Sequence, residues 1–301
     1  MSITVTPLRY PGGKSFMASF IEAVLSVNGT WGKATYAEPY AGGAGAAIAL
    51  LQSGAVKRIL LNDASYPVYC FWRSILTRYP SFVAVLDSTT VSIAEWHRQR
   101  SIFMSPDRYD QLEVGFAALF LNRCNRSGIL RAGPIGGKSQ AGTWKLDVRF
   151  NKDDLRRKLA AVHKYRGSIS VSNLDAIRFV KKAILPMEAT RQEETIVYLD
   201  PPYYEKGRDL YYDHYGPADH RALSMFLRHE HTFRWMLSYD NVQQIRDLYA
   251  DHEQHSFTVN YTAQDQKPGK ELLINSRNCA LPESDVMANT RHRTIRLLRV
   301  A

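Results

Sequence analysis

The residues best equipped for chemistry are Asp200-Pro201-Pro202-Tyr203-Tyr204, which follow the apolar run Thr195-Ile196-Val197-Tyr198-Leu199. The run reads as a buried strand of β-branched and aromatic residues. Two prolines cannot continue a ladder, so the strand stops at Asp200. In an open α/β sheet, ligands bind at the carboxyl edge of the strands. A carboxylate and a backbone carbonyl can accept the two hydrogens of a planar NH2 group, and a tyrosine can stack on the ring that bears it. On these residues alone, a rigid turn with no ligand fits equally well.

Three other segments change the balance. Glu38-Pro39-Tyr40-Ala41-Gly42-Gly43-Ala44-Gly45 leads into the apolar stretch Ala46-Ala47-Ile48-Ala49-Leu50-Leu51. A glycine-rich turn opening a helix lets a ligand approach the backbone closely. Arg58-Ile59-Leu60-Leu61-Asn62-Asp63 is a short apolar strand ending in an acid. In a strand–loop–helix–strand unit, an acid so placed binds ribose hydroxyls. Leu8-Arg9-Tyr10-Pro11-Gly12-Gly13-Lys14 stands before both.

The order of these segments resembles the Dam-type (class alpha) DNA adenine-N6 methyltransferases. The likeness rests on R-Y-P-G-G-K at 9–14, E-P-Y-A-G-G-A-G at 38–45, N-D at 62–63 and D-P-P-Y at 200–203. Phe120-Leu121-Asn122-Arg123 resembles the family's helix leading into its DNA-reading hairpin. Leu237-Ser238-Tyr239-Asp240-Asn241 and Lys270-Glu271-Leu272-Leu273-Ile274 resemble its later elements.

The resemblance implies a doubly wound α/β, Rossmann-like methyltransferase sheet carrying an inserted helical and hairpin target-recognition domain. It implies methyl transfer from S-adenosylmethionine to adenine N6 in double-stranded DNA, with the base flipped out of the helix. Asp200, Pro201, Pro202 and Tyr203 would then meet the adenine, with Asp200 also bordering the cofactor. Tyr10, Gly12, Lys14, Glu38, Pro39, Tyr40, Gly42, Gly43, Gly45, Asp63 and Asp175 are the cofactor candidates. Lys14 would pair with the methionine carboxylate or steady an acidic neighbour, and Asp175 would contact the adenine ring or cap the helix after it.

Asn122, Arg123, Arg126, Arg131 and Lys138 are the DNA candidates. Arg131 matches the family's base-reading arginine, whereas Arg126 stands where the best-known members carry an aromatic residue. The family's GATC specificity is therefore not carried over. Ala44 stands where a second glycine is common.

Bulk properties agree with this reading. A formal net charge of +10 points to a polyanion or a membrane surface. No apolar stretch is long enough to span a bilayer, and the first ten residues lack the core of a signal peptide. Cys70, Cys124 and Cys279 are widely spaced and form no metal-ligand pattern, as expected in a reducing cytoplasm, whether bacterial or reached by a phage-encoded enzyme. Gly12-Gly13-Lys14-Ser15 and Gly136-Gly137-Lys138-Ser139 lack the first glycine of a phosphate-binding loop, and the histidines lack zinc spacing, so no metal is expected.

Residues 1–65 and 166–301 form the expected catalytic part, with 66–165 inserted for recognition. Residues 66 to 123 read as mostly helical, with an apolar helix at 114–121 bounded by Asn122-Arg123. Thr143 to Phe150 alternates like a strand, following a glycine-rich hairpin tip. Residues 207–217 read as a flap, and 256–261 with 271–275 as an antiparallel pair. An RNA or single-strand adenine methyltransferase shares the same motif chemistry. A silent nucleic-acid-binding protein of this fold, and a methyltransferase for a protein glutamine amide, are the alternatives of other kinds. Any restriction or other defence partner is left open.

Overall fold

The computed structural model describes residues 5–9, 14–205, 215–229, 231–260, 268–283 and 297–300. Tyr10, Gly12 and most of the expected flap lie outside the described residues. Eight strands form one sheet: β1 (Thr35–Glu38), β2 (Arg58–Asn62), β3 (Ile169–Ser172), β4 (Thr195–Leu199), β5 (Arg234–Asp240), β6 (Gln254–Asn260), β7 (Pro268–Asn275) and β8 (Leu298–Arg299). Their order is β3-β2-β1-β4-β5-β7-β6-β8. Neighbours from β3 through β5 run parallel, and β7 lies antiparallel between β5 and β6. The chain builds outward from β1 to β3 and then outward again from β4, so the strand order reverses between β1 and β4. A doubly wound sheet opens its ligand crevice at that reversal.

Strand β4 reads as an unbroken apolar run because both its faces are covered. Ile196 and Tyr198 join one hydrophobic cluster with Tyr36, Ile59 and Met236, and Val197 and Leu199 join the other with Ala37, Leu60 and Leu237. Helices α1 (Ala18–Val27) and α2 (Gly45–Ser53) contribute to the first cluster. So do α3 (Tyr66–Thr77), α4 (Tyr79–Ser88), α5 (Ile93–Met104), α6 (Gln111–Cys124) and α7 (Lys152–Lys164), all inserted between β2 and β3. Trp72, Phe116 and Leu159 thus share a core with the sheet, and the cluster does not divide at residue 66. Helices α8 (Ala176–Ala183) and α9 (Ala189–Glu193) lie between β3 and β4. Helix α10 (Pro217–Arg228) follows β4, and α11 (Gln243–Leu248) follows β5. Of these four, α8, α10 and α11 supply the second cluster.

Two local expectations need correction. Helix α6 does not end before Asn122. A capping box between Asp110 and Glu113 starts it, and it runs through Asn122-Arg123 to Cys124. Residues 143–150 form turns rather than a strand. Leu146 N donates at 2.8 Å to Oε1 of Gln140, and Trp144 faces outward at 67% exposure. A strand needs a neighbour for its ladder, and among the described residues 143–150 pair with no strand; the isolated bridge nearby joins Asn125 to Pro134. The expected antiparallel pair after β5 is present as β6 and β7.

Candidate active site

Strand β4 delivers Asp200 to the crevice beside Ser238 of β5, because Leu199 pairs with Leu237 in register. Asp200 Oδ1 accepts a hydrogen bond from Ser238 Oγ at 2.8 Å and lies 3.1 Å from Lys14 Nζ. With Ser238 donating to Asp200, Tyr198 OH supplies the hydrogen to Ser238 Oγ at 2.9 Å. Among the described residues neither Asp200 Oδ2 nor the Pro201 carbonyl has a partner. A quarter of the Asp200 side chain is exposed. Burial pushes its carboxyl above the usual range; Lys14 opposes that shift, and Glu271 adds to it.

Lys14 is nearly sealed from solvent. Its Nζ lies 3.2 Å from Oε2 and 3.4 Å from Oε1 of Glu271, and donates at 3.2 Å to the Tyr203 hydroxyl. Burial alone would lower its pKa, but Asp200 and Glu271 outweigh burial and hold the ammonium well above the usual lysine range. Lys14 thus meets acidic neighbours, one of the two roles open to it. Tyr203 is 7% exposed, and its hydroxyl donates to Glu271 Oε1. The loop that carries it is fixed from behind, since Asp240 accepts Tyr204 N at 2.9 Å and Glu205 N at 3.1 Å.

The glycine turn lies across the reversal point, at the end of β1. Gly42 adopts φ 44° and Ala44 φ 45°, so an alanine occupies a left-handed conformation that suits glycine. An added methyl on Gly45 would stand 3.1 Å from Ser15 Cβ, so glycine here lets α2 approach the Lys14 segment. Asn62 Nδ2 donates to the Pro39 carbonyl at 2.9 Å, and Trp72 Nε1 to the Gly42 carbonyl at 2.9 Å. Thr6 Oγ1 donates to the Gly43 carbonyl. Glu38 is buried beneath the turn, accepting from Tyr36 OH at 3.0 Å and Ala47 N at 3.2 Å. Burial lifts its carboxyl to about 8 against these two hydrogen bonds.

Asp63 closes the turn from β2. Its Oδ2 accepts Gly42 N at 2.7 Å, and its Oδ1 accepts Ser65 N at 2.9 Å. Asp175 caps α8, its Oδ1 accepting Ile177 N and Arg178 N at 3.0 and 3.2 Å. It also lines a cleft of about 350 Å³ with Asn173, Leu174, Arg178 and Tyr215. Tyr40 meets Tyr215 through their hydroxyls at 2.6 Å, which joins this cleft to the glycine turn.

The DNA candidates divide. Asn122 is fully buried. Its Oδ1 accepts Arg9 N at 2.6 Å, and its Nδ2 donates to the carbonyls of Arg9 at 2.6 Å and Gly128 at 2.9 Å. Arg123 is buried and donates to the Arg149 carbonyl at 2.7 Å; burial, with Arg9 and Arg149 nearby, lowers its guanidinium to about 10. As DNA contacts these two are corrected: both face inward and stitch the recognition loop to the amino-terminal segment. Gly128 completes the seam, with φ 77° and an added Cβ only 2.7 Å from the Arg9 carbonyl. Arg126, Arg131 and Lys138 are exposed, as are Lys145 and Arg149. Gln140 knots their loop, its Nε2 donating to the carbonyls of Ile135 at 2.8 Å and Gly137 at 2.6 Å.

Three site residues were missed as such in the sequence: Ser238, Asp240 and Glu271. All lie in segments that carried a family resemblance but no assigned chemistry. The available signal was polar side chains within apolar strand patterns, Ser238 in Trp235–Tyr239 and Glu271 before Leu272-Leu273-Ile274.

A family model of the D12 class N6 adenine-specific DNA methyltransferases matches residues 10–263. No curated protein matches the chain. Among solved structures, a conserved hypothetical protein of Streptococcus pyogenes matches 82% of this chain and 88% of its own, at 10% identity and a TM-score of 0.32.

Proposed function

The chain belongs to the D12 class N6 adenine-specific DNA methyltransferase family and thus methylates adenine N6 in DNA from S-adenosylmethionine; from that premise we propose that it acts on duplex DNA and that Asp200 and the Pro201 carbonyl receive the flipped adenine's amino group. The carrying observation is that, among the described residues, two acceptors at the end of β4 have no partner, Asp200 Oδ2 and the Pro201 oxygen. Adenine's amino lone pair is delocalised into its ring. Two acceptors on its hydrogens favour a pyramidal nitrogen with the lone pair turned toward the methyl donor. The sulfonium of S-adenosylmethionine supplies the methyl group: the C–S pair stays on sulfur, the N6 pair makes the new bond, and an N6 proton leaves to Asp200 Oδ2 and on to water.

The residues present fit the cofactor. Glu38, buried beneath the glycine turn, is suited to the methionine ammonium. The first N–H groups of α2, which begins at Gly45, have no helical partner and are suited to the carboxylate. Asp63 is suited to the ribose, and the cleft of Asp175 and Tyr215 to the adenine ring. Lys14, engaged by Asp200 and Glu271, belongs with the reacting amine instead. Residues 66–165 are assigned to recognition through the Gln140-knotted loop, where Arg126, Arg131 and Lys138 are the exposed contacts.

Flipping costs about a few kcal/mol for unstacking, offset by contacts in the pocket. The test is to methylate unmodified genomic DNA with the purified protein and map modified adenines by long-read sequencing. Modified adenines at one sequence, made faster on duplex than on the separated strands, are expected. Faster methylation of single strands or of RNA would reject duplex DNA as the substrate.

A further inference from the structure

We propose that Glu271 is a positioning residue for methyl transfer, dividing the charge of Lys14 between two carboxylates so that the site facing the adenine amine keeps a net negative charge. The proposal rests on Asp200 meeting that amine. Glu271 Oε1 accepts from Tyr203 OH and from Lys14 Nζ, and Oε2 lies 3.2 Å from the same ammonium. Oε1 thus takes both hydrogen bonds, and Oε2 completes the ion pair with the Lys14 ammonium. Asp200 takes that same ammonium through Oδ1 at 3.1 Å. One cation therefore faces two anions, in a place where the side chains of Lys14 and Glu271 are 6% and 1% exposed.

The consequence is electrostatic. During transfer, positive charge moves from sulfur onto N6. A Lys14–Asp200 pair by itself would be neutral and offer that charge only a dipole. With Glu271 holding part of the ammonium, Asp200 offers it a charge. Fixed charges in a dry site act without reorganising as the reaction proceeds. Glu271 also fixes Tyr203 by accepting its hydroxyl hydrogen, so one carboxylate aligns both side chains that flank Asp200.

Other groups also face Asp200. Tyr36 and Glu38 of β1, Tyr198 of β4 and Tyr239 of β5 act on it across the crevice. Burial keeps these phenols neutral, and Glu38, the carboxyl among these four groups, is itself lifted to about 8 by burial.

Glu271→Gln keeps the shape and the acceptor for Tyr203 but removes the charge. With the full chain, S-adenosylmethionine and a duplex substrate, the single-turnover rate is expected to fall about tenfold or more, with cofactor affinity unchanged. The rate rises with pH as Asp200 ionises, and the charge on Glu271 opposes that ionisation. The acidic limb of the Glu271→Gln profile should therefore move to lower pH, which a purely structural role would not produce. Adding Lys14→Met to Glu271→Gln returns the negative charge and should raise the rate above that of the single variant. A parental rate in Glu271→Gln, an unmoved limb, or a double variant no faster than the single one overturns the proposal. If Glu271→Gln alone does not fold, the comparison moves to the Lys14→Met background: the limb of the double variant should lie at lower pH than that of Lys14→Met, and coincident limbs overturn the proposal. Asp200→Ala, run beside them, separates the two claims. Normal turnover there rejects the reading of the amine site, whereas a dead Asp200→Ala with a parental Glu271→Gln rejects only the role of Glu271.

Discussion

Asp200 Oδ1 is engaged by Ser238 and Lys14 while Oδ2 has no partner among the described residues, so one carboxylate can be both anchored and reactive. Asp200→Ala should reduce methyl transfer by about 10²–10³-fold or more, the scale of removing one preorganised transition-state contact. Cofactor affinity, read by calorimetry, should stay close to parental; a loss confined to that affinity would move Asp200 into the cofactor site. Glu38 carries a second residue-scale expectation. Its folded carboxyl is lifted to about 8, above its ordinary value, so at neutral pH it holds a proton that the unfolded chain has released. That group's contribution to stability therefore declines as pH rises from the carboxylate range toward 8. A cofactor ammonium placed against Glu38 would expel the proton. Binding S-adenosylmethionine at neutral pH should then release about one proton, seen as a calorimetric enthalpy that varies with the ionisation enthalpy of the buffer. Glu38→Gln should abolish that dependence, and its persistence would exclude Glu38 from the ammonium site.

At the scale of elements, the glycine turn is held by side chains from three directions, which couples cofactor binding to local stability. Asp63 is suited to the ribose, so Asp63→Ala tests the cofactor site. Because Asp63 also accepts Gly42 N and Ser65 N, the substitution should weaken the cofactor by about 1.5–3 kcal/mol and lower stability as well. Calorimetric affinity equal to the parent would place the ribose elsewhere. Ala44 offers a converse test. Its left-handed conformation costs a residue with a Cβ about 1–2 kcal/mol, so Ala44→Gly should stabilise the protein by about 1 kcal/mol, after the greater chain entropy of glycine is subtracted. Denaturant titration that showed Ala44→Gly to be the less stable protein would mean the turn carries no such strain. The seam of Asn122 and Gly128 against Arg9 is the third device, since it binds the recognition loop to the segment that carries Lys14.

Over the whole molecule, the net charge of +10 and the exposed basic loop between α6 and α7 set the terms on which DNA is met. Phosphate contacts strengthen binding to every sequence alike, whereas a base contact discriminates. Lys138→Ala should weaken binding uniformly and reduce the salt slope by about one. Arg131→Ala should relax specificity at one position, with about 1–3 kcal/mol of discrimination lost there. Equal slowing of methylation at matched and mismatched sites by Arg131→Ala would reduce this arginine to a backbone anchor. Among the described residues, no helix is long and apolar enough to cross a membrane.

Strand β4, the glycine turn and the D-P-P-Y stop were legible in the sequence because each is a local pattern, an apolar run closed by residues that cannot continue it. The family resemblance rested on the same local runs in order. What tertiary structure decided were the encounters between them. Lys14 meets Tyr203 and Glu271 across separations of 189 and 257 residues, which no local period encodes. Only the reversal of strand order between β1 and β4, with β7 inserted beside β5, brings those segments to one edge. Burial was equally hidden. Asn122 and Arg123 have side chains suited to DNA, but α6 continues through them and turns them inward, so their hydrogen bonds go to carbonyls of the chain itself. The alternation at 143–150 was real but, among the described residues, had no strand to pair with, because an apolar period specifies which face a residue prefers and not whether a partner exists to receive it.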